Sequence, residues 1–586
     1  MLKKFFISML GTIAGLWIAA ILLFFTGLVA LGIAMGKSDD STNVKDKSIL
    51  YLDLSGEIIE RSQSESFMTM IQNFENETQT LEDMLKAVRL AADDDKIEGI
   101  YINAAGSAMG IASREELAEA LAAFKESGKW VYAYADNYAQ GDYLLSTFAD
   151  KVYLNPVGNV DIRGIGTSTP FFTGLLDKLG IKVQVVKVGT YKSAVEPFIL
   201  TSMSEAARHQ NQVFIDSIWG YYSTTIAANR AVTPQTVSAW ADSLTFAWTA
   251  DHDVDAGIVT EKRYRREVED MLRDLTGVDA GKDLRLVSPK NYVASRTGDF
   301  GDGTDDHIAV LYAVGDIVDS GDEGIVGRTI VPQIIGLADN DKVSGLVLRV
   351  NSPGGSAFAS EQIWEALNYF KSKGKPFYVS MGDYAASGGY YISCGADCIY
   401  ADATTLTGSI GVFGMIPDFS GLVTGKLGVT FSDVSSSPNA TFMSLMQPMT
   451  EQQRASMQRY VEDTYDVFTG RVAEGRHMSV DSVKAIAEGR VWIGSSAVEL
   501  GLVDRVGSLH ACIEAIADSL GMEPSQYVSY PDVSQDFMTK LLEETQRLES
   551  AAGVVLDREA IAAMMAVKRL REMNPVQARM PDLVIR

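Results

Sequence analysis

Three short stretches hold residues whose types and spacing could carry chemistry. The first is Asp383-Tyr384-Ala385-Ala386-Ser387-Gly388-Gly389-Tyr390-Tyr391, a serine among small residues. The apolar run before it, Pro376–Met381, reads as a buried strand, and a helix-like segment, Tyr390–Ala396, follows. A serine at such a turn can have its backbone approached closely, and its hydroxyl feels the positive end of the helix dipole. Taken alone, Ser387 reads as an ordinary helix N-cap. The second stretch is Arg349-Val350-Asn351-Ser352-Pro353-Gly354-Gly355-Ser356, again after a strand. Its glycines can aim backbone N–H groups at a developing oxyanion; taken alone it is equally a plain loop. The third is Val188-Gly189-Thr190-Tyr191-Lys192-Ser193-Ala194-Val195-Glu196-Pro197-Phe198. Lys192 can act as a general base only if neutral, and burial in a dry pocket lowers a lysine pKa toward working pH. By itself it reads as a surface lysine near a turn.

Histidine is scarce: His209, His252, His307, His477 and His510 lie outside the Gly-rich motifs. A Ser-His-Asp triad is therefore poorly supported, and a Ser-Lys pairing fits better. A literal S-x-x-K match at Ser372–Lys375 sits at a hydrophilic helix end and is read as chance. Cys394, Cys398 and Cys512 are too few for a disulfide framework. They lack the neighbouring Cys or His ligands that a metal needs, so neither metal nor cofactor is expected.

These stretches sit in a repeat. Ala92-Asp93-Asp94-Asp95-Lys96-Ile97-Glu98-Gly99-Ile100-Tyr101-Ile102 resembles Ala338-Asp339-Asn340-Asp341-Lys342-Val343-Ser344-Gly345-Leu346-Val347-Leu348. Asp136–Tyr143 resembles Asp383–Tyr390, and Ala149–Leu154 resembles Ala396–Ala401, at an offset of about 247 residues. The halves differ where chemistry would occur. Gln140 stands where the second half has Ser387, and Asn103–Ser107 lacks the Pro-Gly-Gly. The first half has Lys192, and the matching region of the second, around Ser435–Thr441, has no lysine. A nucleophile from one half and a base from the other is the natural division.

Each half alternates short apolar strands with amphipathic helices. The first has strands at Ile49–Leu54, Gly99–Asn103, Trp130–Ala135 and Val152–Leu154, with helices at Thr80–Ala92 and Glu115–Ser127. The second has strands at Ile308–Ala313, Gly345–Val350 and Phe377–Met381, with helices at Gly327–Ala338 and Ser360–Lys373. That pattern predicts an α/β fold with largely parallel sheets. The 586-residue chain divides into residues 1–44 (anchor and linker), 45–295 (first repeat), 296–534 (second repeat) and 535–586 (a helical tail). The polar, Gly-rich run 294–306 marks the boundary between repeats.

After Met1-Leu2-Lys3-Lys4, residues 5–36 carry no charge, longer than the ~20 residues that span a bilayer. The run is too long for a signal-peptide core, and Lys3 and Lys4 favour the cytoplasmic side. The expectation is an N-terminal transmembrane helix in the lipid bilayer, with everything after it beyond the membrane. A formal charge of -25 excludes nucleic acid as a partner, because phosphate backbones need a basic face.

Together, Tyr191–Phe198, Ala386-Ser387-Gly388-Gly389-Tyr390 and Thr407-Gly408-Ser409-Ile410-Gly411-Val412-Phe413-Gly414 closely resemble the signal peptide peptidase A family. The resemblance is to its long form, and it extends over nearly the whole chain. It implies two tandem ClpP/crotonase-like domains and a bacterial, membrane-anchored serine protease that degrades signal peptide remnants and other peptides. It implies Ser387 as nucleophile, Lys192 as general base, and Ser409 as the residue that orients the lysine. Amides of Gly354 or Gly355, and of Gly388, would form the oxyanion hole. A homotetramer at the inner membrane, catalytic domains on the periplasmic side, is a further implication. The competing readings are a crotonase-like acyl-CoA enzyme and an inactive membrane-tethered scaffold.

Overall fold

A computed structural model describes residues 44–61, 79–279, 281–299, 303–321, 323–531 and 576–580. The expected anchor at 5–36 lies outside the described residues; of the expected helical tail at 535–586 only 576–580 are described, and Val576–Arg579 is a strand rather than a helix, because it pairs with Gly354–Ser356 and Phe413–Asp418. No helix of the described residues is long and apolar enough to cross a membrane.

The alternating pattern resolves into two parallel sheets. In the first half, Ser48–Ile59 lies between Leu286–Val287 and Ile97–Ala108, and the sheet continues through Trp130–Ala135, Lys151–Leu154 and Glu261–Lys262. Every pairing in it is parallel. The central strands are buried on both faces because helices pack on each side. Ser48–Ile59 and Ile97–Ala108 run longer than their apolar cores predict. Their pairing shifts register between Leu54 and Gly56 and then continues to Glu57 and Ala108. In the second half the order is Val491–Ile493, Leu406–Gly408, Phe377–Ala386, Val343–Ser352, His307–Val314 and Tyr527–Tyr530. The one antiparallel pairing on this path joins Leu406–Gly408 to Val491–Ile493. Two long helices lie at Glu205–Arg230 and Glu451–Gly475, each with a side chain capping its first turn, Ser204 and Thr450.

A third sheet belongs to neither half alone. Its order is Ile325–Val326, Ile317–Val318, Gly354–Ser356, Val576–Arg579, Phe413–Asp418 and Lys182–Lys187. Lys182–Lys187 leaves the first half and pairs antiparallel with Phe413–Asp418 of the second, from Lys187 opposite Phe413 to Lys182 opposite Asp418. That crossing carries the following segment, with Lys192, into the second half.

The halves are joined by buried polar contacts as well. Arg349, fully buried, donates from Nε to Glu60 (2.6 Å) and from Nη1 to Glu116 (2.7 Å). Burial pushes the Glu60 carboxyl up, while the two carboxylates hold Arg349 charged against its own desolvation. Glu115 accepts from the amides of Ala403 and Thr404, and Ser113 donates to Asp383. The largest core cluster is also shared: Ala386, Leu406, Val491 and Ile493 pack with first-half residues.

The expected helix at Tyr390–Ala396 begins and ends earlier, at Gly388–Ser393. Cys394 caps its C-terminus, and Cys398 opens the next strand, so the two do not share a helix. All three cysteines are free thiols.

Candidate active site

The strand Phe377–Ala386 delivers Ser387 to the start of the Gly388–Ser393 helix. Its turn is held from both sides: the Ser387 amide donates to Gly408 O (2.7 Å), and its carbonyl accepts from Tyr391 N (2.8 Å). Ser387 has φ of 56°, a left-handed conformation that a residue with a Cβ seldom adopts. It occupies the N-cap position, yet its side chain makes no capping bond. The hydroxyl faces Lys192 instead.

Lys192 Nζ lies 2.7 Å from Ser387 Oγ, 3.1 Å from Ser409 Oγ and 3.2 Å from Ser409 O. Lys192, Ser387 and Ser409 are each completely buried. Among the described residues no carboxylate pairs with the lysine. Burial draws its pKa well below the usual lysine range, because the charged form loses its hydration and no carboxylate compensates. Two neighbours separated by 195 positions in sequence are thereby in hydrogen-bond contact within one chain.

A turn that motif reading does not single out seats the lysine. Tyr191 N donates to Glu488 O (2.9 Å). Gly489, at φ 76°, lies so close that an added Cβ would be 2.7 Å from Lys192 Cβ. The same turn supports Ser409, whose amide donates to Arg490 O (2.7 Å). The sequence signal for this cradle is slight, a Glu488-Gly489-Arg490 before a strand.

The three candidate oxyanion glycines converge on one small space. Gly354 has φ of 101°, and an added Cβ there would meet Ala578 O at 2.1 Å and Gly388 N at 2.7 Å. An added Cβ on Gly388 would be 3.1 Å from both Gly355 N and Ala578 O. The Gly354 amide is engaged locally, donating to Ser352 Oγ (3.1 Å).

The first half closes the equivalent place. The Gln140 side chain accepts from Arg163 N and Gly164 N and donates to Gly164 O. Asp142, which the repeat aligns with Gly389, accepts from the amides of Gly106 and Ser107, both at 2.9 Å. A resident carboxylate thus holds these two loop amides. The chance motif also resolves: Lys375 Nζ caps Ala338 O and Asn340 O, and Ser372 Oγ donates to Tyr369 O. Among the described residues, no histidine hydrogen-bonds to Ser387 or Lys192.

Known proteins agree with this architecture. Peptidase family S49 matches residues 123–279 and 369–523, and the Clp protease family matches residues 317–401. Protease 4 of Salmonella typhi is 35% identical over 578 residues, covering 95% of this chain and 91% of the relative. Protease 4 of Haemophilus influenzae is 34% identical over 483 residues, covering 79% and 78%. The chloroplastic serine protease SPPA of Arabidopsis thaliana is 27% identical over 502 residues, covering 84% and 72%. The chain is a serine protease with two tandem α/β domains and belongs to peptidase family S49.

Proposed function

We propose that the protein is a membrane-anchored endopeptidase with a Ser-Lys dyad, in which Ser387 is the nucleophile and Lys192 the general base. The observation that carries this reading is the 2.7 Å contact between a buried serine and a buried lysine that no carboxylate neutralises. A neutral amine has two N–H donors and one lone pair. Ser409 O and Oγ accept the two donors, which leaves the lone pair for the Ser387 hydroxyl. Ser409 is thus the positioning residue.

The steps follow from that arrangement. Lys192 takes the Ser387 proton as Oγ attacks a peptide carbonyl. The amides of Gly355 and Gly388 receive the developing oxyanion, and Gly354 shapes the turn between them. Lys192 then gives its proton to the leaving amine, and water hydrolyses the ester. Residues 5–36 anchor the enzyme in a bacterial inner membrane with the catalytic domains on the periplasmic side, beside the apolar signal peptide remnants it degrades. A homotetramer is the working assembly.

The test is an acylating serine-protease inhibitor followed by peptide mass mapping. A covalent adduct on Ser387 is expected in the parent enzyme and is lost in Ser387→Ala. Lys192→Ala is expected to abolish both labelling and cleavage of an apolar peptide. Undiminished peptide cleavage by both variants would overturn the dyad.

A further inference from the structure

We propose that Arg490 is a positioning residue of the active site: its side chain ties the turn that bears Lys192 to the turn that bears Ser409, and so fixes the base against the serine that orients it. The proposal rests on the dyad reading above.

Lys192 needs such a tie. It comes from the first half, whereas Ser387 and Ser409 come from the second. Its own amide reaches only Gly189 O, at 3.4 Å, within the same turn. The backbone links to the second half are made by its neighbours: Val188 N donates to Val412 O (3.0 Å) and Tyr191 N to Glu488 O (2.9 Å). A long, flexible side chain stays in line as a general base only if the turn that carries it is held.

The Arg490 side chain supplies that hold. Its guanidinium carbon lies 5.1 Å from the centre of the Tyr191 ring and 4.0 Å from that of the Trp492 ring. Both distances are within cation–π reach. Among the described residues the guanidinium makes no hydrogen bond and no ion pair, so the two rings are its partners. Trp492 is itself fixed: its indole N–H donates to Ile486 O (3.0 Å), and its strand pairs with Leu406–Gly408. A planar, delocalised cation suits the task because it can lie flat on a ring, which a compact ammonium cannot do.

The backbone of the same residue holds the other turn. Arg490 N donates to Ala487 O (2.9 Å), and Arg490 O accepts from Ser409 N (2.7 Å). One residue earlier, Gly489 N donates to Ile410 O (2.8 Å). Trp492 lies against Gly408, where an added Cβ would be 2.9 Å from Trp492 Cδ1 and 3.2 Å from Arg490 O. Gly408 O in turn accepts from the Ser387 amide (2.7 Å). Arg490 therefore reaches the base, the orienting serine and the nucleophile, each directly or through a neighbouring residue. The first half has no base to seat and is built differently. Ile162, which the repeat aligns with Ser409, donates its amide to the Thr245 hydroxyl (2.9 Å) instead of to a backbone carbonyl.

The experiment measures kcat and KM of the full chain on a fluorogenic apolar peptide. It compares the parent, Arg490→Lys, Arg490→Met, Tyr191→Leu and the double variant Arg490→Met/Tyr191→Leu, with a urea midpoint for each. Arg490→Met is expected to lower kcat about tenfold, less than the ~10²-fold that a 1 Å misplacement can cost, with KM within about twofold of the parent. Arg490→Lys keeps a cation near the rings but not the plane, and is expected to lie between the parent and Arg490→Met. Tyr191→Leu is expected to match Arg490→Met. The double variant is expected to be no slower than either, because both changes remove the same tie. The proposal is overturned if Arg490→Met keeps the parent kcat, if only KM changes, or if the two losses multiply in the double variant. A loss of kcat that merely follows a lowered urea midpoint, in Arg490→Lys as in Arg490→Met, would mean a general structural role and overturns it too. Lys192→Ala is assayed alongside. If it cleaves like the parent, the dyad reading fails; if it is inactive while Arg490→Met is unimpaired, only the role of Arg490 falls.

Discussion

Replacing Lys192 with methionine separates the chemistry of the lysine from its burial. Methionine has a similar length and loses only the amine, so the cavity stays filled. Activity is expected to fall by at least 10²–10⁴-fold, the usual contribution of a general base. Stability should move the other way. In the fold Lys192 is fully buried with its pKa drawn well down by desolvation. In the unfolded chain it titrates near 10.4. Between those two values the unfolded state carries one more proton than the folded state. Stability therefore rises with pH across the window, by about 1.4 kcal/mol per pH unit for one proton. Below the folded pKa the penalty is complete, and above the unfolded pKa it vanishes. Lys192→Met removes this dependence. Urea unfolding of both proteins from neutral to alkaline pH, taken as a difference, cancels all other titrating groups. The expected difference favours the methionine variant near neutrality and closes at that slope as pH approaches 10. A flat difference would mean that Lys192 has an ordinary pKa in the fold, and the neutral-base argument would fail with it.

Other substitutions test other parts. Ser409→Ala removes one acceptor from the amine; kcat/KM should drop about tenfold, and the acid limb of the rate–pH profile should move to lower pH, since that acceptor favours the charged amine. Gly354→Ala forces a Cβ to within 2.1 Å of a backbone oxygen at φ 101° and should reduce kcat by about 10²-fold or more, with circular dichroism unchanged. Arg349→Met leaves Glu60 and Glu116 buried without their cation and should destabilise by about 3–5 kcal/mol in denaturant titration; adding Glu60→Gln and Glu116→Gln should recover most of it. Asp253 is fully buried with no partner on either carboxylate oxygen, and burial raises its pKa from 3.8 to about 7. Its folded state keeps the proton longer, so stability falls as pH rises from 3.8 to 7. Asp253→Asn should gain on the order of 2–4 kcal/mol at pH 8 and nothing near pH 3.5, read from urea midpoints.

Much of this was legible in the sequence because it is local or duplicated. The Trp130–Ala135 strand appears as its apolar pattern predicts, and the offset of about 247 residues by itself aligns Gln140 with Ser387. What escaped is non-local. Nothing in Lys182–Lys187 announces that it leaves its own half for the edge of Phe413–Asp418, because strand pairing between distant segments has no local signature. The Glu488–Arg490 turn acts through backbone contacts that any small turn could make. Val576–Arg579 is four residues long, too short for periodicity to register, and its environment comes from the strands on either side. Asp142 has no signal of its own in the sequence; only the fold brings its carboxylate onto the amides of Gly106 and Ser107.

The sheet shared by the two halves has a consequence for how the protein comes into being. A chain made from its N-terminus exposes the lysine long before the serine exists, and the serine emerges without a docking edge until Phe413–Asp418 meets Lys182–Lys187. Under the proposed dyad, neither half alone holds a nucleophile beside a base. Proteolytic power therefore arrives last, at the moment the two halves close on each other. On that reading, a nascent or half-unfolded copy cleaves neither its neighbours nor itself.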